Sequence, residues 1–283
     1  MPILKKLKCL LIIPCLLLTS CGHLFYYPDD RLYVDFKKLE IEPKQIELQT
    51  SDNKKFYGWY FKASDKPKGK ILFFHGNGQN RSAHFFALYW ILKENYDFFI
   101  FDYPEYGGSE GTASQESTTD SGTKALEWLS QQNPSVPLII FGQSLGGNIA
   151  IYTMTKNKAK ITPCMVVVDS TFKSYRKVAQ RTAAKSWLLW PLQGVAYTLV
   201  RDQYSAADHM EEISPVPLDV FHGDQDPIVG IENGQDVFLA AKEPKKFYLV
   251  PGPGHIQAFV GSNKEKFRAA LLEDLAKNCP VKN

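Results

Sequence analysis

Leu138-Ile139-Ile140-Phe141-Gly142-Gln143-Ser144-Leu145-Gly146-Gly147 packs a strand, a tight turn and the start of a helix into ten residues. The first four are a continuous apolar run, as expected of a strand covered on both faces. Asn148, Ile149 and Ala150 continue as a helix. Between them, Gly142-x-Ser144-x-Gly146 places a serine at the bend. The turn brings the chain close to itself, so positions two before and two after the serine must be tiny. The hydroxyl then projects from the sheet edge. The helix behind it aims N–H groups and a dipole at any anion forming there.

Outward from that point, short β-rich runs alternate with helical windows. The strands expected are Ile46–Gln49, Phe56–Lys62, Lys70–His75, Phe98–Asp102, Leu138–Phe141, Met165–Asp169, Leu218–His222 and Lys246–Val250. The helical windows are Arg81–Lys93, Gln115–Ser130, Leu145–Lys156, Ile231–Ala241 and Asn263–Lys277. Alternation of this kind predicts a mostly parallel α/β sheet with an antiparallel start. Residues 171–212 are longer than one crossover helix needs, and are expected to form a small helical cap or one long crossover kinked at Pro191. The five tryptophans are expected mainly in the core, some of the aromatics in 187–204 lining an acyl pocket.

Composition is that of an ordinary globular chain: of 283 residues, 44% are hydrophobic and 22% charged, which excludes disordered, collagen-like and coiled-coil classes. The net charge of +3 resides in Lys5, Lys6 and Lys8; without them thirty bases face thirty acids. No basic block points to nucleic acid. Those lysines precede an apolar run, Leu10 to Leu18, too short to span a bilayer comfortably and fitting the core of an export signal. Leu18-Thr19-Ser20-Cys21 resembles a bacterial lipobox, which implies lipidation at Cys21. The resemblance makes residues 1–20 a signal peptide and 21–44 a lipidated tether and lead-in, so the membrane is a partner through Cys21 in the cell envelope. Gly22 after the cysteine implies the outer membrane in a Gram-negative cell. In an oxidising compartment Cys164 and Cys279 form a disulfide or stay as two thiols; spacing leaves both open.

Residues 45–277 resemble an α/β-hydrolase. Besides the elbow, the resemblance rests on His75-Gly76-Asn77-Gly78 after the third strand, Asp102-Tyr103-Pro104-Glu105-Tyr106-Gly107-Gly108-Ser109 after the fourth, His222-Gly223-Asp224-Gln225-Asp226 after the seventh and Gly252-Pro253-Gly254-His255 after the eighth. The His-Gly-Asn loop is similar to that of membrane-associated serine hydrolases with small caps, which include acyl-protein thioesterase-like enzymes. The family's order, Ser…Asp/Glu…His, implies Ser144 as nucleophile, Asp226 as acid and His255 as base. Asp169, after the sixth strand, is the alternative acid. His75 and His222 are expected to brace loops, Asp224 to brace the Asp226 loop, and Asp102 to cap the turn at residues 106–108. The oxyanion hole falls to the backbone N–H groups of Leu145 and Asn77, so their side chains are expected to tolerate change. No metal or other cofactor is required: the histidines lack H-E-x-x-H spacing and no Gly-rich phosphate loop opens a helix.

The expected activity is therefore cleavage of a small carboxylic ester or acyl thioester through an acyl-serine. A serine peptidase of the same fold and a non-catalytic envelope lipoprotein are the alternatives. Residues 278–283 form a tail.

Overall fold

Apolar runs flanked by glycine and proline become the strands of one sheet. The computed structural model describes residues 25–63 and 66–281; the expected signal peptide, residues 1–20, and the expected lipidation site, Cys21, lie outside them. Among the described residues the strands are β1 (Lys44–Gln49), β2 (Lys55–Phe61), β3 (Gly69–Phe74), β4 (Tyr96–Phe101), β5 (Leu138–Gln143), β6 (Met165–Asp169), β7 (Leu218–Gly223) and β8 (Lys245–Val250). They form an eight-stranded sheet in the order β1-β2-β4-β3-β5-β6-β7-β8. The pairs β1–β2 and β2–β4 are antiparallel, and every other pair is parallel. This is the α/β-hydrolase fold. β3 through β7 are buried along their whole length, as their unbroken apolar runs demand.

The helices are α1 (Phe36–Leu39), α2 (Arg81–His84), α3 (Gln115–Gln131), α4 (Leu145–Asn157), α5 (Tyr175–Lys185), α6 (Gln193–Leu199), α7 (Ile231–Ala240) and α8 (Lys264–Asn278). One core packs Leu72, Ile140 and Val168 against α3 and α4; the other packs Phe73, Phe141 and Val167 against α8. The order β4-β3-β5 reverses direction at β3. Loops leaving β3 and β5 therefore diverge, and a crevice opens at their carboxyl ends.

Two expectations need correction. The window 81–93 is not one helix: α2 is a single turn, followed by 3₁₀ turns at Phe85–Ala87 and Tyr89–Glu94. Phe85, Leu88 and Ile91 are all fully buried, a repeat of three that matches 3₁₀ geometry better than α. The lead-in segment contributes Tyr26 and Val34 to the buried core. Finally, Trp59 and Trp90 are core residues, but Trp187 and Trp190 are exposed.

The segment after β6 is helical, as α5, a 3₁₀ turn at Trp190–Leu192, α6 and a 3₁₀ turn at Ala207–Ile213. Asp202 ties its base: its carboxylate accepts from the Ser174 hydroxyl at 2.6 Å and from the Tyr175 N–H at 2.7 Å. Cys164, just before β6, is bonded to Cys279, just after α8, with Cα atoms 5.3 Å apart. The link closes a separation of 115 residues. Cys164→Ser should lower unfolding free energy by about 2–5 kcal/mol, read by denaturant melts with and without reductant. Two free thiols per chain in the unreduced protein would contradict the bridge.

Candidate active site

Strain at the elbow is explicit. Ser144 sits at φ 50°, ψ −120°, a conformation L residues rarely adopt. A Cβ on Gly142 would fall 2.6 Å from Gly147 Cα, and one on Gly146 would fall 2.2 Å from the Phe74 carbonyl. Both positions are thereby closed to any larger residue. The Ser144 N–H donates to the Asp169 carbonyl at 2.9 Å, and its carbonyl accepts from the Thr171 hydroxyl at 2.6 Å. The backbone is thus held from both sides while the side chain stays available.

Ser144 Oγ lies 2.9 Å from His255 Nε2, and His255 Nδ1 lies 2.7 Å from Asp226 Oδ2. The three side chains come from three sheet-edge loops, after β5, β7 and β8. The other Asp226 oxygen accepts from the Ile228 and Val229 N–H groups at 2.9 and 3.0 Å. Burial pushes the Asp226 carboxyl up, but His255 and the two N–H groups more than offset it, so it ends below the usual carboxylate range. An ionised Asp226 fixes the imidazole with Nδ1 protonated and Nε2 free to accept the serine proton.

The His255 loop is pinned at two points. Asp224 Oδ1 accepts from the Gly252 N–H at 2.8 Å, and Ser170 Oγ accepts from the Ile256 N–H at 3.1 Å. Asp224, expected to brace the Asp226 loop, thus reaches across to the loop after β8, and Ser170 carries no motif that would announce its contact. His222 braces the Asp226 loop by donating from Nε2 to the Val229 carbonyl at 2.7 Å. Asp169 points elsewhere: it accepts from Gln143 Nε2 at 3.2 Å. Burial raises its pKa to about 7, against the lowering influence of Gln143, His255 and Ser170.

The loop after β3 differs from expectation in its side chain. Asn77 Oδ1 accepts from the Tyr27 N–H at 2.9 Å, the Gly78 N–H at 2.7 Å and the Tyr106 hydroxyl at 3.1 Å. This carboxamide joins the N-terminal segment, its own loop and the loop after β4. Asn77→Ala strands three donors and should cost about 1–3 kcal/mol, measured by urea unfolding. An unchanged midpoint would show that the staple is slack. Leu145 opens α4 at its first position, where the N–H has no helical carbonyl to meet.

Asp102 is a second correction. Its carboxylate lies against Gly107 but bonds Arg81, accepting from the backbone N–H at 2.6 Å and from the guanidinium. Burial lifts its pKa to about 6 even against Arg81. Arg81 in turn lies over the Trp59 ring at 4.4 Å. Beside this pair His75 and His84 stack, ring centroids 5.3 Å apart, and burial keeps both more acidic than a free imidazole, His84 at about 4. His75 Nδ1 donates to the Gly76 carbonyl at 2.8 Å, the expected bracing contact. The cue missed in the sequence was Asp102 itself: an aspartate ending the run Phe98-Phe99-Ile100-Phe101 must find a cation. Among the described residues no group of three or more His, Cys, Asp or Glu could hold a metal.

A sequence profile of the family described as serine aminopeptidase, S33, matches residues 65–199. The protein YfhR of Escherichia coli (strain K12) is 30% identical over 256 residues, 88% of this chain and 85% of that protein. The lysophosphatidylserine lipase ABHD12 of Danio rerio is 28% identical over 197 residues, 66% of this chain and 51% of that protein. Among solved structures, the esterase Pf2001 of Pyrococcus furiosus superposes with a TM-score of 0.71 at 22% identity, covering 90% of this chain and 98% of that one. That last likeness concerns the fold.

Proposed function

From a chain that belongs to the family of YfhR, within the α/β-hydrolase superfamily, we propose a serine hydrolase that cleaves carboxylic esters or acyl thioesters through acyl-Ser144. The observation that carries this reading is the unbroken relay Ser144 Oγ–His255 Nε2 at 2.9 Å and His255 Nδ1–Asp226 Oδ2 at 2.7 Å. Ser144 attacks the acyl carbon as its proton passes to Nε2. Negative charge develops on the carbonyl oxygen, which the N–H groups of Leu145 and Asn77 receive; such a donor is worth about 3 kcal/mol where tested. The imidazolium, stabilised by Asp226, then hands its proton to the departing alkoxide or thiolate. Water repeats the cycle on the acyl-serine and releases the acid.

The description of the matching family as serine aminopeptidases favours a second reading, removal of N-terminal amino acids from peptides. An aminopeptidase has to hold the substrate's ammonium group as well as its scissile amide. An amide also demands more leaving-group protonation than an ester. The name of ABHD12, a lysophosphatidylserine lipase, agrees with the first reading. Comparing p-nitrophenyl esters of increasing chain length, one acyl thioester and aminoacyl anilides tests the choice. Ester or thioester turnover far above anilide turnover is expected, and the reverse order would overturn it.

The protein is further proposed to be exported, cleaved before Cys21 and held to the envelope by acyl chains there, on the outer membrane in a Gram-negative cell. Each buried CH₂ contributes about 0.8 kcal/mol, so several chains anchor firmly. Intact mass of the membrane-extracted protein tests this: a chain beginning at a diacylglyceryl-modified Cys21 is expected. An unmodified chain retaining residues 1–20 would contradict it.

A further inference from the structure

Half of the sixteen large apolar side chains exposed among the described residues fall between residues 187 and 199. Trp187 is 88% exposed, Leu188 65% and Trp190 59%. They form the bend between α5 and α6, a hairpin whose helices are too short to cross a bilayer, and no helix among the described residues is long and apolar enough to do so. A patch of this kind on a monomer calls for an occupant.

We infer that the α5–α6 hairpin docks in the interface of a membrane bearing anionic phospholipids. Three observations single out that occupant. Tryptophan and leucine at an exposed bend suit the headgroup–acyl boundary, where an amphipathic ring has one wet edge. From Thr171 to Arg201 the chain carries six bases and no acid. Lys177 and Arg181 are tied to Asp236, while Lys185 and Arg201 stay exposed at either end of the apolar stretch. Bases near an anionic leaflet strengthen binding to it. The third is a contact between the N-terminal segment and the hairpin. The Phe25 ring meets Tyr175, the first residue of α5, edge to face at 5.2 Å. Cys21 is four residues upstream, at most about 14 Å of extended chain. An anchor there holds the base of the hairpin close to the lipid. Only this third support rests on the lipidation reading. A second copy of the chain is a poorer occupant, because a two-fold contact would set this base-rich surface against itself.

Docking gives the hairpin a direct bearing on the proposed reaction. The loop leading into it from β6 contains Thr171, whose hydroxyl holds the Ser144 carbonyl, so the lead-in to the hairpin and the elbow share a contact.

The test uses protein expressed from the full chain with its own leader, purified from membranes and mixed with phosphatidylcholine vesicles carrying brominated acyl chains, with or without phosphatidylglycerol. Of five tryptophans, two lie at the bend. Quenching of wild-type emission is expected, weaker without phosphatidylglycerol and lost in Trp187→Phe/Trp190→Phe. Vesicle-bound protein with unquenched emission, or equal quenching in the variant, overturns the proposal. So does a lipid-indifferent dimer that Trp187→Ser converts to monomer. Intact mass of the same preparation reads Cys21 separately. Lipidated protein with unquenched tryptophans refutes docking and leaves the anchor, whereas quenched but unlipidated protein does the opposite.

Discussion

Ser144→Ala should lower kcat for a p-nitrophenyl ester by about 10⁴- to 10⁶-fold while leaving the melting temperature unchanged. The two halves of this expectation have separate causes. The fold uses Ser144 through its backbone: the N–H bonds Asp169 and the carbonyl bonds Thr171. Alanine keeps both contacts and tolerates φ 50° no worse than serine does. The chemistry uses only Oγ, which is the group His255 Nε2 faces. What remains after its loss is whatever the oxyanion donors and the bound geometry give to attack by water. Stopped turnover with an unchanged melt separates catalysis from folding; residual turnover within tenfold of the wild type would place the nucleophile elsewhere.

Asp226→Asn should cost about 10⁴-fold in kcat, by way of a tautomer. The native Oδ1 accepts from the Ile228 and Val229 N–H groups. An asparagine keeps those bonds only by turning its oxygen toward them, which aims its NH₂ at His255 Nδ1. Nδ1 must then accept, the ring proton moves to Nε2, and the base can no longer take the serine proton. Asp169→Asn is the control, since that carboxylate bonds Gln143 and not His255. A much smaller loss is expected there. If Asp169→Asn proved as damaging as Asp226→Asn, the acid would have to be reassigned.

Why so much of this was legible in the chain follows from the sheet. Strands buried on both faces leave unbroken apolar runs, and Met165–Asp169 keeps its expected bounds in the structure. The elbow was legible because no residue but glycine fits at 142 and 146. The loops around it were less so. Their order depends on single polar atoms that meet across long sequence gaps, such as Asn77 Oδ1 with Tyr27 and Tyr106, or Arg81 with Asp102. Nothing in local periodicity announces such meetings. The window 81–93 misled for another reason: Phe85, Leu88 and Ile91 are spaced by three, and a helical pattern of 3.6 shares that spacing for one turn. The bend at Trp187 and Trp190 misled because aromatic residues are ordinarily buried, and here they are held at the surface.

The central claim is that Ser144 is made nucleophilic by His255. Its most direct measurement is the site and rate of fluorophosphonate labelling, read by peptide mass mapping of the wild type, Ser144→Ala and His255→Ala. A single adduct on Ser144 is expected, absent from Ser144→Ala and formed at least a hundredfold more slowly in His255→Ala, as removal of a general base implies. An adduct on another serine, or labelling of Ser144 at an undiminished rate without His255, would contradict the account.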